Sequence, residues 1–408
     1  MSKKIRSLLI SGVMTISMGL NVPLSFADTT NITPDELKIL IDEADDFMIF
    51  ANKVNITADT EGNIAANEAT IANGGQIGLT EDAINNNSPA SQISYVEKFI
   101  NIKTEPFRTG SKIILDYTQN TVGDTDGGSS WTINSVKVGK TKDISLEPIS
   151  DSNKIYISNV LSESLTDASR RLMELNDSNE FEVYNVKSKP VDGNIDNESI
   201  YIEDLEDVNK TINFYSNDKN YIIINVDTSG RTEIVFEATI KVDNEYGEWN
   251  KVSKKVMFNF YDSTKEQPFD GKIEIDKLLM GSILAPGAKI KVDAGSVNGS
   301  IFCDEFLGNN SEVHKLDFVL VEKGPGGGNE GGGNEGGGNE GGGNEGGGNE
   351  GGGNEGGGNE GGGNEGGGNG GSPDVPEMGD YFATPYIIGA VVSSSILFAI
   401  NRKDKLTK

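Results

Sequence analysis

The chain has 408 residues, a formal net charge of -28 at pH 7, one cysteine (Cys303) and one histidine (His314). A surface that acidic is repelled by phosphate backbones, which argues against nucleic acid as a partner. A single cysteine leaves no internal disulfide, and a single histidine removes Cys/His zinc clusters, His-rich metal sites and most hydrolytic triads.

At the N-terminus, Lys3, Lys4 and Arg6 precede an apolar run from Leu8 to Leu20, and Ser25-Phe26-Ala27 supplies the small residues a signal peptidase reads. The pattern predicts a signal peptide over 1–27, cleaved between Ala27 and Asp28. A retained membrane helix is the alternative, and the shortness of the apolar core speaks against it. No lipobox cysteine stands near residue 27. Residues 28–323 then form the folding part, enough for one large or two modest domains.

Thr33 is placed as an N-cap, with Pro34 at the first helical position and Glu36 at the capping-box position. Leu37, Leu40, Ile41 and Ala44 recur at helical spacing. Phe47 to Ala51 reads as a buried strand. Gly62-Asn63-Ile64-Ala65-Ala66 through Ile71 then matches Gly281-Ser282-Ile283-Leu284-Ala285 through Ile290 at five fixed positions, with a shorter echo at Gly299-Ser300-Ile301. Short apolar strands separated by Gly/Asn turns are what stacked coils require, since each coil alone leaves an apolar face uncovered. The expectation is a mainly β fold, a β-solenoid to which both ends of the domain contribute; a β-sandwich with coincidental glycines is the alternative. A second helix is predicted over 160–176, with Leu161, Leu165, Ala168, Leu172 and Leu175 on one face, covering a flank or an end of the solenoid. Residues 177–210 read as acidic surface loops. Strands are predicted at Tyr221 to Val226, Ile234 to Phe236 and Val256 to Tyr261, with Asn244 to Trp249 as a hairpin connection.

Beyond residue 323 the composition changes. Eight copies of Gly-Gly-Gly-Asn-Glu run from Gly326 to Glu365 within a linker spanning 324–374. It has no apolar side chains with which to build a core, so it reads as a disordered spacer, roughly 35–40 Å end to end as a flexible coil. Phe382 to Ile400 follows, close to the ~20 apolar residues a transmembrane helix needs. Arg402, Lys403, Lys405 and Lys408 then predict a cytoplasmic C-terminus. The segment 375–408 therefore reads as an anchor that holds the rest outside the cell.

Two resemblances add to this. Asp46-Phe47 through Phe50, Asp59 to Ala66, Phe258 to Asp262, Gly281 to Pro286, Val297 to Ile301 and Glu312-Val313-His314 resemble the choice-of-anchor A domain family of bacterial surface proteins. The resemblance covers about 44–318, is weak between roughly 80 and 210, and implies a β-rich domain with a helical insertion and no known enzymatic activity. Val375-Pro376-Glu377-Met378-Gly379 resembles the Leu-Pro-x-Thr-Gly sorting signal of Gram-positive surface proteins. Val375 and Met378 depart from it, and Met378 stands where the sortase thiol attacks. Attachment to peptidoglycan by a variant sortase and permanent anchoring in the membrane both stay open.

Other motifs weigh less. Gly326 to Gly331 satisfies a G-x-G-x-x-G pattern but neither follows a strand nor opens a helix. Asp124-Thr125-Asp126-Gly127-Gly128 begins like a calcium loop, but Ser135 stands where the twelfth-position glutamate belongs, so an acidic hairpin turn is preferred. Asp59 and Glu61 flank a turn that is read as solvated rather than cation-binding. Cys303 is read as a small buried thiol and His314, near Glu312, as a structural residue. No catalytic, metal or cofactor site is assigned. The expectation is a non-catalytic surface protein that displays an acidic β-rich domain for adhesion to a matrix protein or glycan, or for surface-layer interaction. A carbohydrate-active enzyme and a purely architectural envelope component are the competing classes.

Overall fold

A computed structural model describes residues 32–80, 92–190, 193–247 and 251–318. The segments read as a signal peptide with Ala27 and Asp28, as a repeat linker, and as an anchor with Val375, Pro376, Glu377, Met378 and Gly379 lie outside the described residues. Among the described residues no helix is long and apolar enough to cross a membrane.

Helix α1, Pro34–Asp45, starts where its cap chemistry dictates. The Glu36 backbone N–H donates to Thr33 Oγ1, and the Thr33 N–H donates to Glu36 Oε2 at 2.9 Å, which closes a capping box. Leu37, Ile41 and Ala44 are buried, so the face expected from spacing is the one that packs.

The fold is mainly β, and its largest sheet is parallel along a path of ten strands: β1 Ile49–Ile56, β2 Ile64–Ile71, β3 Ile93–Ile102, β4 Lys112–Leu115, β5 Ser145–Pro148, β6 Phe181–Lys187, β7 Tyr221–Asp227, β8 Val256–Asp262, β9 Ser282–Val292 and β10 Ile301–Asn309. Their spatial order is β5-β4-β3-β2-β1-β10-β9-β8-β7-β6. One arm grows outward from β1 and the other from β10, so the first and last of these strands meet in the middle. Ile283, Ile301, Ile49 and Ile64 share one row of this register. The repeated Gly-x-Ile segments from the two ends of the domain therefore lie in one sheet and one register, with β1 between them. A second parallel sheet repeats the same order with short strands, Leu279–Met280, Val297–Asn298, Val313–His314, Asp59–Glu61 and Gln76–Ile77.

The repeat glycine has a steric cause. A Cβ on Gly299 would lie 2.3 Å from the Gly281 carbonyl oxygen, so the two glycine-led turns stack backbone against backbone.

Each long strand of the central sheet has two halves. In the first half both faces are buried. Ile49, Ala51, Ile64, Ala66, Ile283, Ala285 and Ile301 point into the interior, while Phe50, Ala65, Tyr95, Leu284 and Phe302 pack against the helices. Those helices are α1 and a second stretch made of an α-turn (Ile157–Asn159), a π-helical segment (Val160–Leu165) and an α-helix (Thr166–Met173). Leu161, Leu165, Ala168, Leu172 and Leu175 are all buried, so this stretch covers the flank of the sheet. Arg171 ties it to α1 through Glu36 at 3.1 Å. A Phe302-sized side chain buried in such a seam stabilises by about 1.5–3 kcal/mol relative to exposure.

The helix-facing row changes character across the sheet. It reads Asn185, Asn225, Asn259, Leu284, Phe302, Phe50, Ala65, Tyr95 in register. The three asparagines form a ladder: Asn259 Nδ2 donates to Asn225 Oδ1 at 2.9 Å, and Asn225 Nδ2 donates to Asn185 Oδ1 at 3.0 Å. The covering helix meets them with polar groups, Ser169 Oγ donating to Asn259 Oδ1 and the Leu172 carbonyl accepting from Asn225. The two buried amides, Asn225 and Asn259, persist because each is matched.

Two expectations are corrected. Residues 177–210 are not all loop: β6 pairs with β7 along seven residues. Its buried positions, Phe181 and Val186, are separated by Glu182, Tyr184 and Asn185, which hides the strand pattern. At Asn244 the chain does make a tight hairpin turn, with Asp243 and Asn244 at positive φ and Val242 bridged antiparallel to Glu245, while the strand before it, Thr239–Val242, pairs in parallel with Thr211–Phe214. The strand read at Phe47 begins two residues later, at Ile49.

Candidate interaction face

Among the described residues, the second halves of the strands are covered on one side only. Seven parallel segments make this face: Glu233–Phe236, Lys272–Ile275, and the later parts of β9, β10, β1, β2 and β3. Their inward row, Ile234, Ile273, Ile290, Phe306, Val54, Ala69 and Phe99, is buried. Strict alternation then forces the neighbouring residues outward. The outward row reads Glu233, Lys272, Lys289, Glu305, Lys53, Glu68, Lys98 in register. At ~4.8 Å per strand this ladder of charges spans roughly 30 Å.

Opposite charges sit beside each other at all but one step, the Lys272–Lys289 pair. Lys272 Nζ lies 2.7 Å from Glu233, and Lys289 Nζ lies 3.1 Å from Glu305. Lys272 also bonds Glu274, and Lys291 bonds Asp293 and stands 4.0 Å from Glu274. Hydrogen bonds to Glu233 and Glu274 push the Lys272 ammonium above its ordinary range. Glu274, Asp276 and Asp293 bring carboxylate oxygens within 4.8 Å of one another. Lys272 and Lys291 already supply the positive charge there, so this corner belongs to the ladder. At the bend between the two halves, Asn67 donates to Asn52 and Asn52 donates to Asp304 at 2.7 Å, and Ser158 at the start of the covering helix closes the row.

The residues singled out in the sequence are distributed elsewhere. Cys303 is fully buried in β10, and burial, followed by the charges of Asp304 and Glu305, raises its thiol well above the usual range. It is an inert core residue. His314 and Glu312 do come together, with Nε2 3.2 Å from Glu312 Oε2, and Glu61 stands 4.0 Å from Nδ1. His314 is 1% exposed, on a strand paired with Asp59–Glu61. Asp59 and Glu61 do not converge on a cation position: Asp59 takes a salt bridge from Arg108 at 3.1 Å, and burial raises the Glu61 carboxyl. Asp124 and Asp126 belong to an antiparallel hairpin whose turn residues, Asp126, Gly127 and Gly128, all have positive φ. Lys137 lies 3.2 Å from Asp126, and its hydrogen bond is the main cause that lowers that carboxyl. The turn is the acidic hairpin expected from the sequence.

The charge ladder was not read from the sequence. Its members come from seven segments between residues 53 and 305, and only the register assembles them.

A family model described as "Putative Ice-binding-like adhesive domain" matches residues 41–315. Among solved structures, an ice-binding protein from the Antarctic ascomycete Antarctomyces psychrotrophicus is similar at 8% identity, with 70% of this chain and 98% of that chain covered and a TM-score of 0.29. An ice-binding protein from an Arctic yeast is similar at 7% identity, with 72% and 97% covered and a TM-score of 0.27. No curated protein matches the chain. With the family model matching from α1 to the strand Val313–His314, the chain belongs to the ice-binding-like adhesive domain family.

Proposed function

We propose that the chain is a non-catalytic surface adhesin, a choice-of-anchor A protein whose folded part, 28–323, is a β-solenoid held out on the Gly-Asn-Glu linker. The parallel sheets with matching strand order support the solenoid reading. The observation that carries the function is the open face: seven parallel segments with an ordered ladder of lysine and glutamate. Such a face presents charges of both signs in a regular order to a repeating polar partner, and electrostatic complementarity of this kind sets specificity and encounter rate. Matrix proteins and glycans are the ligand classes that fit. Ice is not the proposed ligand, because ammonium groups are strongly hydrated and their stems are flexible. Anchoring falls to the segment from Phe382 to Ile400, with sortase transfer to peptidoglycan at Met378-Gly379 as the alternative route.

The test is binding of the full chain to arrayed matrix proteins, host glycans and wall polymers at low and high salt, beside the triple variant K53A/K289A/K98A. Saturable, salt-sensitive binding to a host component that the variant loses supports the proposal. Binding to wall polymers alone assigns an architectural role instead. Growth inhibition of ice crystals by the native chain would overturn the exclusion of ice.

A further inference from the structure

Where the two ends of the domain meet, the second sheet brings Glu61 opposite His314, and the Lys315 N–H donates to the Glu61 carbonyl. The next side chains on each side, Asn63 and Lys315, then converge. Both are 1% exposed. Gly62 makes room for the lysine stem, since a Cβ there would stand 2.9 Å from Lys315 Cβ and 2.7 Å from Met48 Sδ. Lys315 Nζ lies 3.0 Å from Asn63 Oδ1, and also donates to the Asp46 carbonyl at 2.7 Å. Asp317 Oδ1 stands 3.0 Å from the same nitrogen.

The carboxamide of Asn63 is held on every side. Its Nδ2 donates to the carbonyls of Asp46 and Ile93 at 2.9 and 2.8 Å, and its Oδ1 accepts from the Met48 N–H at 3.3 Å. A lysine nitrogen, an immobilised carboxamide whose oxygen faces a backbone donor, and a carboxylate touching that nitrogen are the components of an aminolysis site. A buried, fixed amine and carboxamide, with the base at the edge of the site, supply the effective concentration that such a slow reaction needs.

We propose that Lys315 and Asn63 join in an intramolecular isopeptide bond. Asp317 takes one proton from the Lys315 ammonium, and the free amine attacks Cγ of Asn63 while the Met48 N–H steadies the developing oxyanion. As the tetrahedral centre collapses, the Cγ–Nδ2 bond breaks. Asp317 returns its proton to the departing nitrogen, which with the second proton shed by Nζ leaves as ammonium. The balance is one ammonium and one carboxamide in, one secondary amide and one ammonium out. No oxidant or cofactor is required. The bond closes a loop between positions 252 residues apart. Asp45 sits beside this site with an enclosed Oδ1, and burial, followed by the neighbouring Asp317, pushes it up to about 8, so at neutral pH it adds no second full negative charge to hold the ammonium in place.

The experiment is protease digestion and mass spectrometry of the denatured full chain. The proposal expects a branched peptide joining the segments that carry residues 63 and 315, roughly 17 Da lighter than their sum, the mass of one ammonia. Recovery of separate, unmodified peptides for both residues from folded protein overturns it. Asp317→Asn, kept folded by circular dichroism, is expected to yield the unlinked pair; a branched peptide from this variant removes Asp317 from the mechanism. Lys315→Arg retains a buried cation without the nucleophile and is expected to show the unlinked mass at Asn63.

Discussion

The covered and open halves of the central strands obey the same alternation and arrive at opposite surfaces. In β1, Phe50 and Ile49 face two different apolar seams because α1 and the second helical stretch lie over one side of the sheet. Only a few residues along, Val54 is buried while Lys53 is exposed, because nothing among the described residues covers that side. A parallel sheet ordinarily needs both faces protected. Here helices protect one half, and the other tolerates water because its outward side chains are charged, paired across strands at Lys272–Glu233 and Lys289–Glu305, and held off aggregation by that charge.

Four changes break or sharpen this contrast. Phe302→Ala in the covered half empties the seam between β10 and the helices and is expected to cost about 3–5 kcal/mol, read by denaturant unfolding. Asn225→Ala removes the middle rung of the asparagine ladder, so that Asn185 Oδ1 loses its donor, Asn259 Nδ2 loses one acceptor and the Leu172 carbonyl keeps only its backbone donors. About 1–3 kcal/mol is expected, and Asn225→Asp should not restore it because it removes the same donor.

The third concerns Asp45, the last residue of α1, where the helix dipole also disfavours a negative charge. Its carboxyl is raised from an ordinary 3.8 to about 8, by burial first and then by Asp317. The folded chain therefore keeps a proton that the unfolded chain releases. The stability this group contributes is whole below its unfolded value and is lost as the pH rises through its folded value of about 8. Melting temperature measured from pH 4 to pH 9 should fall more steeply for the native chain than for Asp45→Asn. The smallest effect belongs to the open half. Lys53→Glu places a like charge between Glu305 and Glu68, and is expected to cost under about 1 kcal/mol. Its larger consequence should be a change in the salt dependence of surface binding.

What could be read from the sequence followed the range of each signal. The capping box of α1 lies within four residues, and the apolar face of the second helix within sixteen, so both were visible. The Gly-x-Ile repeats were visible across more than 200 residues because each places a glycine where no Cβ fits, at Gly299 against the Gly281 backbone and at Gly62 against Met48 and Lys315. The π-helical turn at Val160–Leu165 left no such mark. Neither did β6, whose half-exposed Tyr184 and exposed Asn185 break the alternation. The charge ladder and the Asn63–Lys315 contact depend on pairings between distant segments, and a lysine beside a glutamate in space looks like any lysine in a charged chain.

The meeting of β1 and β10 at the centre of the sheet also sets the order in which the protein can be completed. β1 emerges early, yet one of its two neighbours, β10, is made some 250 residues later. Loop closure over that distance is slow, and until it happens the sheet carries two raw edges in its middle rather than at its margins. A chain made N-terminus first thus exists as two unfinished arms until its last strand is added. The last strand acts as a keystone, and a truncation before Ile301 would leave both arms adhesive in the wrong sense, open to pairing with the next chain.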